Sequence, residues 1–393
     1  MKKFLSIILA LTFCFAAFSA LAPTVAAKSE TISESEAKEL IVKAYEFCRN
    51  VRGGFAHIHE NSSEYKIEVK YGEDYRDWEN YWLVIEENLP GGSYEKMCEY
   101  AKELSPFGCR IPLTLMQDWG FVNPKDTLNL SPWSSCVLER LGIPFYFSNS
   151  GEGAVFVDDF SVDGFSDEEI REYMKGTLVL TAIAADKLNK RGFTDDIGVE
   201  VREWSGKTIS SEIVDSISIT AQYGVKELCV VREGVEELSS VIHMNKAISK
   251  REPLFPGVTR YKNTLGGHTV VFSGTPDMPF TYYTAFSMLN ETRKAQLVKI
   301  LKDAGELPVY YPEDAEVYIR AGKLPSGEVM VAFFNLGFDD LEDTALVCET
   351  PVTKVEKLNP DGTRSECAFE VVDGVTRVAE SADTLTPVIL FIS

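Results

Sequence analysis

The pattern of apolar and polar positions divides the chain into a leader and three segments. A mostly apolar run over 4–21 follows Lys2 and Lys3 and leads into the small-residue stretch Val25-Ala26-Ala27. A basic start, an apolar middle and a small-residue end are the marks of a secretory signal peptide, with cleavage expected after Ala27. No later run reaches the ~18 apolar residues that a spanning helix needs. The mature protein is therefore expected to be secreted and extracellular, with no stable membrane insertion.

The first segment, 28–104, reads as a small α+β module. Ser33-Glu34-Ser35-Glu36 has the form of a capping box, and Ala37, Leu40, Ile41, Ala44, Tyr45, Cys48 and Val51 follow at helical spacing. Tyr65, Ile67, Val69 and Tyr71 alternate with charged residues, predicting a half-buried strand whose partner is expected at 80–86. Ser93 is placed to cap a second helix that runs through Leu104.

The second segment, 105–305, alternates between the two periods. Helices are predicted over 132–141, from Ser166 to Met174 behind the box Ser166-Asp167-Glu168-Glu169, over 183–190, and around Leu297, Ile300, Leu301 and Ala304. Strands are predicted at 145–147, 154–157, 178–180, 197–204, 241–244 and 268–273. Short apolar strands alternating with helices predict a parallel α/β sheet of flavodoxin or amidotransferase type. The third segment, 306–393, holds strands at 317–320, 329–334, 345–348, 355–358 and 388–392, with the turn Asn359-Pro360-Asp361-Gly362. It carries no helical period and reads as a β-sandwich.

Charge narrows the partners. Sixty Asp and Glu against 39 Lys and Arg leave a net charge of −21 over 393 residues. Nucleic acid is excluded as an expected partner, because each phosphate contact asks for a cation. Four histidines (His57, His59, His243, His268) limit metal and triad chemistry, and no metal or other cofactor is expected. His57 and His59 lie two apart, but no third histidine is near them in sequence. Beyond Cys14, the cysteines are scattered without a CxxC pair and are expected to be buried free thiols.

Three groups of residues carry candidate chemistry. Asp158 and Asp159 stand at the carboxyl end of a predicted parallel strand, where open α/β sheets bind ligands, and could work with Asp163 and Glu152. They are the candidate catalytic carboxylates. Trp119, Trp133 and Tyr146 are the candidate carbohydrate-stacking rings. A nucleophile elbow needs Ser or Cys between strand and helix, but the turn after 178–180 is Thr181-Ala182-Ile183. Cys136 falls inside a predicted helix. Gly151-Glu152-Gly153 and Leu265-Gly266-Gly267 are glycine turns without a nucleotide-binding pattern.

Several stretches resemble a known family. They include Trp133 with 138–145 (LERLGIPF), 165–170 (FSDEEI), Arg191-Gly192-Phe193, 260–267 (RYKNTLGG), 293–297 (RKAQL) and 333–336 (FFNL). Residues 106–393 thereby resemble the post-barrel part of glycoside hydrolases of the β-galactosidase type. The resemblance implies a glutamine-amidotransferase-like trimerisation domain, then a β-sandwich, and with them self-association into a homo-oligomer. The catalytic (β/α)₈ barrel of that family takes ~250 residues. The stretch 28–104 is too short for one, so the barrel is expected to be missing and no catalytic residue carries over. Segment 28–104 is in turn similar to IseA-like inhibitors of cell-wall DL-endopeptidases, through 33–37 (SESEA), Ala44-Tyr45 and 89–95 (LPGGSYE).

The expected function is a secreted, glycoside-hydrolase-related protein without catalysis, binding or assembling with carbohydrate or a cell-wall component. The alternatives are an endopeptidase inhibitor acting through 28–104, a glycosidase with a site of its own near Asp158, and a gene remnant joined to an export signal.

Overall fold

The computed structural model describes residues 30–32, 55–61, 64–70, 96, 99–100, 103–112, 133–148, 153–159, 161–245, 247, 250–276, 286–305, 307–384 and 386–393. The expected signal peptide, the helix expected behind Ser33, the strand expected at 80–86, Glu152 and Trp119 lie outside these residues. From the first segment, three strands are described: β1 (Glu30–Ile32), β2 (Phe55–Asn61) and β3 (Glu64–Lys70). The alternation at 65–71 does make a strand, and β1 and β2 flank it, both antiparallel to it. His57 and His59 lie on β2, opposite Glu68 and Lys66 in the register.

The middle of the chain builds one large sheet. Its first strands follow β4 (Ser105–Pro106), which belongs elsewhere: they are β5 (Cys109–Ile111), β6 (Phe145–Phe147), β7 (Val155–Val157) and β8 (Thr177–Leu180). A π-helical stretch, Trp133–Leu138, runs into α1 (Glu139–Leu141) between β5 and β6, and α2 (Asp167–Tyr173) joins β7 to β8. After β8 come α3 (Ala182–Lys190), α4 (Thr194–Ile197), β9 (Val199–Arg202), β10 (Ser211–Val214) and β11 (Ile217–Ile219). Then follow β12 (Glu227–Val230), β13 (Glu236–Asn245), β14 (Lys250–Lys262), β15 (His268–Phe272) and α5 (Glu291–Ala304).

The sheet has nine strands in the order β11-β10-β13-β14-β15-β8-β7-β5-β6. From β15 to β6 all neighbours are parallel, and from β15 to β11 all are antiparallel. Counted along the chain, the five parallel strands lie in the order 2-1-3-4-5. Helices cover both faces. On one, Trp133, Val137, Leu297 and Leu301 bury against Ile111, Phe156, Val179 and Val270. On the other, Ile170, Ala185, Leu188 and Ile197 bury against Val155, Val157, Leu178 and Val271.

Local sequence sets the helix starts. The Ser166 hydroxyl accepts from the Glu169 N–H, and the Glu169 carboxylate accepts from the Ser166 N–H at 2.8 Å, closing the predicted capping box of α2. Asn290 caps α5 through the Arg293 N–H at 2.8 Å, and Gly305 ends it at φ +80.

Two expectations for this segment need correction. The strand expected at 197–204 does not enter the sheet. Gly198, at φ +81, ends α4, and the short β9 that follows pairs antiparallel with β12 in a separate two-stranded ribbon. The sheet is also mixed rather than parallel, because β10, β11, β13 and β14 extend it. β14 carries Pro253 and Pro256, which argue against an interior strand in a sequence reading. Its first half, however, pairs only with β13, while β15 joins it from Val258 onward. The prolines sit on that overhang, beside register shifts in β13.

A buried polar network fastens α5 to the antiparallel part. Arg293 and Glu212 are both 0% exposed and lie 2.6 Å apart. Glu212 also accepts from Ser239 Oγ at 2.5 Å and from Gln222 Nε2 at 3.1 Å. Arg293 Nε donates to the Ser287 carbonyl at 3.2 Å, and Nη1 donates to Gln296 Oε1 at 2.5 Å. Gly257 leaves the space this needs: a Cβ there would lie 2.6 Å from Glu212 Oε1.

The last segment is the expected β-sandwich. One sheet holds β16 (Val309–Tyr310), β19 (Thr344–Cys348), β23 (Val375–Val378) and β22 (Phe369–Val372). The other runs β21 (Arg364–Glu366), β20 (Val355–Leu358), β24 (Val388–Ile392), β18 (Val329–Asn335), β17 (Val317–Lys323) and β4. Ile319, Val331, Phe333, Leu346 and Leu390 form the core between them. Tyr100 also belongs here: its ring lies 4.9 Å from that of Phe391, and its hydroxyl accepts from Arg364 Nε at 2.9 Å. The sandwich and the large sheet share a core, in which Phe145, Leu141 and Leu297 meet Tyr318, Phe334 and Phe391. Arg320 lies over the Phe145 ring at 4.0 Å and donates to the Phe145 carbonyl. Lys294 of α5 reaches toward the sandwich too, donating to the Glu313 carbonyl at 2.5 Å and lying 4.7 Å from the Tyr311 ring centre.

Removing either partner of a buried pair strands the other charge, at a cost of ~3–5 kcal/mol. Arg293→Met and Glu212→Met are each expected to lose about that much in urea unfolding, and the double variant to lose less than their sum. A second expectation concerns Lys294. Burial lowers its pKa from 10.5 to about 8, with Asp314, Glu313 and Glu291 opposing the shift. A base with a lowered folded pKa burdens the fold while it is charged, and the burden lifts as pH rises from about 8 toward 10.5. Stability relative to Lys294→Met should therefore rise across that window, as read by thermal melts at pH 7.5 and 10.

Candidate functional site at the carboxyl edge of the parallel sheet

In an open α/β sheet, ligands bind outside the carboxyl ends of the strands, where the strand order reverses. Here that point lies between β5 and β7, and β7 delivers Asp158 and Asp159 to it. The two aspartates do different work. Asp158 is 1% exposed, and its Oδ1 accepts from both the N–H and the hydroxyl of Ser161, each at 2.9 Å. Ser161 Oγ accepts in turn from the Asp158 N–H at 3.2 Å. This closed ring of bonds shapes the turn after β7, an Asx-type use of aspartate.

Asp159, 9% exposed, faces the ends of the next strands. Its carboxylate accepts from the Thr181 hydroxyl, at the end of β8, and from the Thr275 side chain, beyond β15. Thr181 Oγ also accepts from the Ala184 N–H at 3.2 Å, capping α3. Lys187 of α3 donates to the Asp159 carbonyl at 2.7 Å and pairs with Asp163. Burial raises the Asp159 pKa, and Asp158 adds to this, against the lowering pull of Thr181, Thr275 and Lys187. The site is thus a hydroxyl–carboxyl knot joining the ends of β7, β8 and β15. It can hold a proton, and the hydroxyl standing between strand and helix, that of Thr181, is engaged both as donor and as acceptor.

The aromatic candidates part from the carboxylates. Trp133 is 0% exposed, with its ring edge-on to Phe156 and Phe272 at 5.1 and 5.0 Å. Tyr146, on β6, is 3% exposed. A stacking platform needs an open ring face, so both are core residues and neither is a carbohydrate platform. Trp119 lies outside the described residues. Thr181 was visible in the sequence only as an N-cap before an apolar helix. Lys187 and Thr275, far from Asp159 in sequence, gave no signal.

Among the described residues, no group of three His, Cys, Asp or Glu is placed to hold a metal ion. Cys229, Cys348 and Cys367 are free thiols, and burial pushes the pKa of Cys348 and Cys367 up to about 11. No helix among the described residues is long and apolar enough to cross a membrane.

No family model and no curated protein matches the sequence. The solved structures it is similar to include fucosidases. Alpha-L-fucosidase isoenzyme 2 from Paenibacillus thiaminolyticus aligns with 76% of this chain at 10% identity and a TM-score of 0.47. The chain spans 50% of the length of that enzyme. The alpha-fucosidase of Thermotoga maritima, solved with fucose, aligns over 33% of this chain and 31% of its own, at 14% identity and a TM-score of 0.16. A GH29 alpha-L-fucosidase from Bacteroides thetaiotaomicron aligns over 33% of this chain and 29% of its own, at 16% identity and a TM-score of 0.15.

The Asp159 environment predicts a pH effect. A carboxyl with a raised folded pKa supports the fold fully below its unfolded value of 3.8, and that support fades as pH rises through the folded value. Asp159→Asn keeps an oxygen acceptor and stays neutral, so its melting temperature should gain on the wild type between pH 4 and pH 7. Asp159→Val removes the acceptor and should cost ~1–3 kcal/mol at either pH.

Proposed function

We propose that this chain is a secreted, glycoside-hydrolase-related protein with a non-catalytic role in binding or assembling with carbohydrate. On this reading, 105–305 is a flavodoxin- or amidotransferase-like domain and 306–393 its β-sandwich companion. The observation that carries the non-catalytic reading is Thr181. At the strand-to-helix turn where a nucleophile would stand, this hydroxyl caps α3 and bonds Asp159. The strand order 2-1-3-4-5 and the helices on both faces support the domain reading. The resemblance of 106–393 to the post-barrel part of β-galactosidase-type enzymes supplies the carbohydrate context.

The test is an assay of the purified protein on aryl β-galactosides, aryl α-L-fucosides and soluble polysaccharides, paired with pull-down on insoluble glycans and cell wall. No turnover above background is expected, together with retention on at least one glycan. Turnover that survives repurification and falls ~100-fold or more in Asp159→Asn would overturn the reading in favour of a glycosidase.

A further inference from the structure

The opposite, amino-terminal edge of the parallel sheet holds a cavity of about 330 Å³. Small-molecule sites fall between ~300 and 1,000 Å³, so it suits one ring-sized ligand. Thr177 and His268 open β8 and β15 and are direct partners in the parallel register. Both line the cavity. Thr177 is only 9% exposed, yet neither its hydroxyl nor the His268 imidazole has a hydrogen-bond partner among the described residues. Each is therefore an unused donor–acceptor group aimed at the same space.

The other wall is charged but balanced. Arg260 Nε donates to Glu236 at 2.9 Å and Nη1 donates to Asp303 at 2.5 Å, which fixes the guanidinium and leaves it spare N–H donors. Ala304 adds a half-buried apolar edge above the closed floor of Val270 and Ile300. With two carboxylates against one guanidinium, an anion would meet a net negative wall. A neutral ligand with several hydroxyls and a C–H face meets a donor, acceptors and a floor at once.

The glycine turn Leu265-Gly266-Gly267 builds this edge. Asn263 donates to the Met174 carbonyl at 2.7 Å and accepts from the Leu265 and Gly267 N–H groups at 3.0 and 3.1 Å. A Cβ on Gly267 would lie 2.0 Å from the Gly176 carbonyl oxygen. That close approach sets His268 beside Thr177.

We infer that this cavity, formed by Thr177, His268, Arg260 and Asp303, is a binding site for a neutral monosaccharide-sized polyol. The choice of a sugar rests on the carbohydrate-associated reading above; the site itself rests on its geometry. The experiment titrates the full chain with D-galactose, L-fucose, D-glucose and, as the anion arm, inorganic phosphate, by calorimetry. The same preparation is tested for retention on insoluble glycan.

Binding of at least one sugar is expected, weakened about tenfold in Thr177→Val and in His268→Leu and retained in Thr177→Ser, with unchanged melting temperatures. Sugar binding that Thr177→Val and His268→Leu leave intact overturns the site, as does binding of phosphate alone. Glycan retention without sugar binding also overturns it, while leaving the carbohydrate-associated reading in place. Neither retention nor sugar binding overturns both.

Discussion

The pairing of Arg293 with Glu212 is the constraint on which much of the molecule depends. Two charges with no exposed surface survive in a fold only if every remaining valence is met, and here they are met from four places. Glu212, on β10, is met by Ser239 on β13 and Gln222 in the connection after β11, and Arg293 by Gln296 one turn along α5 and by the Ser287 carbonyl just before the helix. The helix is therefore fixed against strands that otherwise would only extend the edge of a parallel sheet. The Arg293 guanidinium also lies 5.6 Å from the centre of the Phe272 ring, whose other neighbour is Trp133. One line of contact so runs from the antiparallel extension through the helix into the central core.

This fixing shapes the two ends of the parallel strands differently. At the carboxyl end, the two aspartates are engaged by their neighbours, Asp158 by Ser161 and Asp159 by Thr181 and Thr275. At the amino end, α5 contributes Ile300 and Asp303 to the lining of a cavity. Space and unspent polar groups thus occur together at the edge that the usual rule for α/β sheets would pass over.

Legibility in the sequence followed how local each cause was. The capping box at Ser166, the helix behind Thr181, the strands at 145–147 and 388–392 and the turn at Asn359 all rest on contacts within a few residues, and periodicity or cap chemistry reveals them. The antiparallel extension did not show, because Pro253 and Pro256 are acceptable only on an overhang whose existence depends on where β15 stops pairing. The polar side of α5 gave no signal of its buried role, since Arg293, Lys294 and Gln296 are residue types common at surfaces and their partners Glu212 and Glu313 lie far along the chain. The site was half legible. The position of Asp158 and Asp159 at a strand end could be read, but the division of labour between them could not, because Ser161 is local to one and Thr181 is distant from the other. Trp133 and Tyr146 looked like platforms because composition cannot tell a buried ring from an open one.

The pairing of β4 with β17 has a consequence in time rather than space. The chain enters the sandwich at Tyr100 and Ser105, leaves it to build the whole large sheet, and returns at β16 to finish. Strand β24, late in chain order, lies between β18 and β20 near the middle of its sheet. A sheet whose edge comes early and whose centre comes late cannot close as it is synthesised. Long-range pairings of this kind bring their reward only after a long loop has been closed. The large sheet, whose parallel strands mostly follow one another directly, can gather first, and the sandwich then locks around the segment it was holding in reserve. Folding in this molecule is therefore vectorial at its centre and retrospective at its rim.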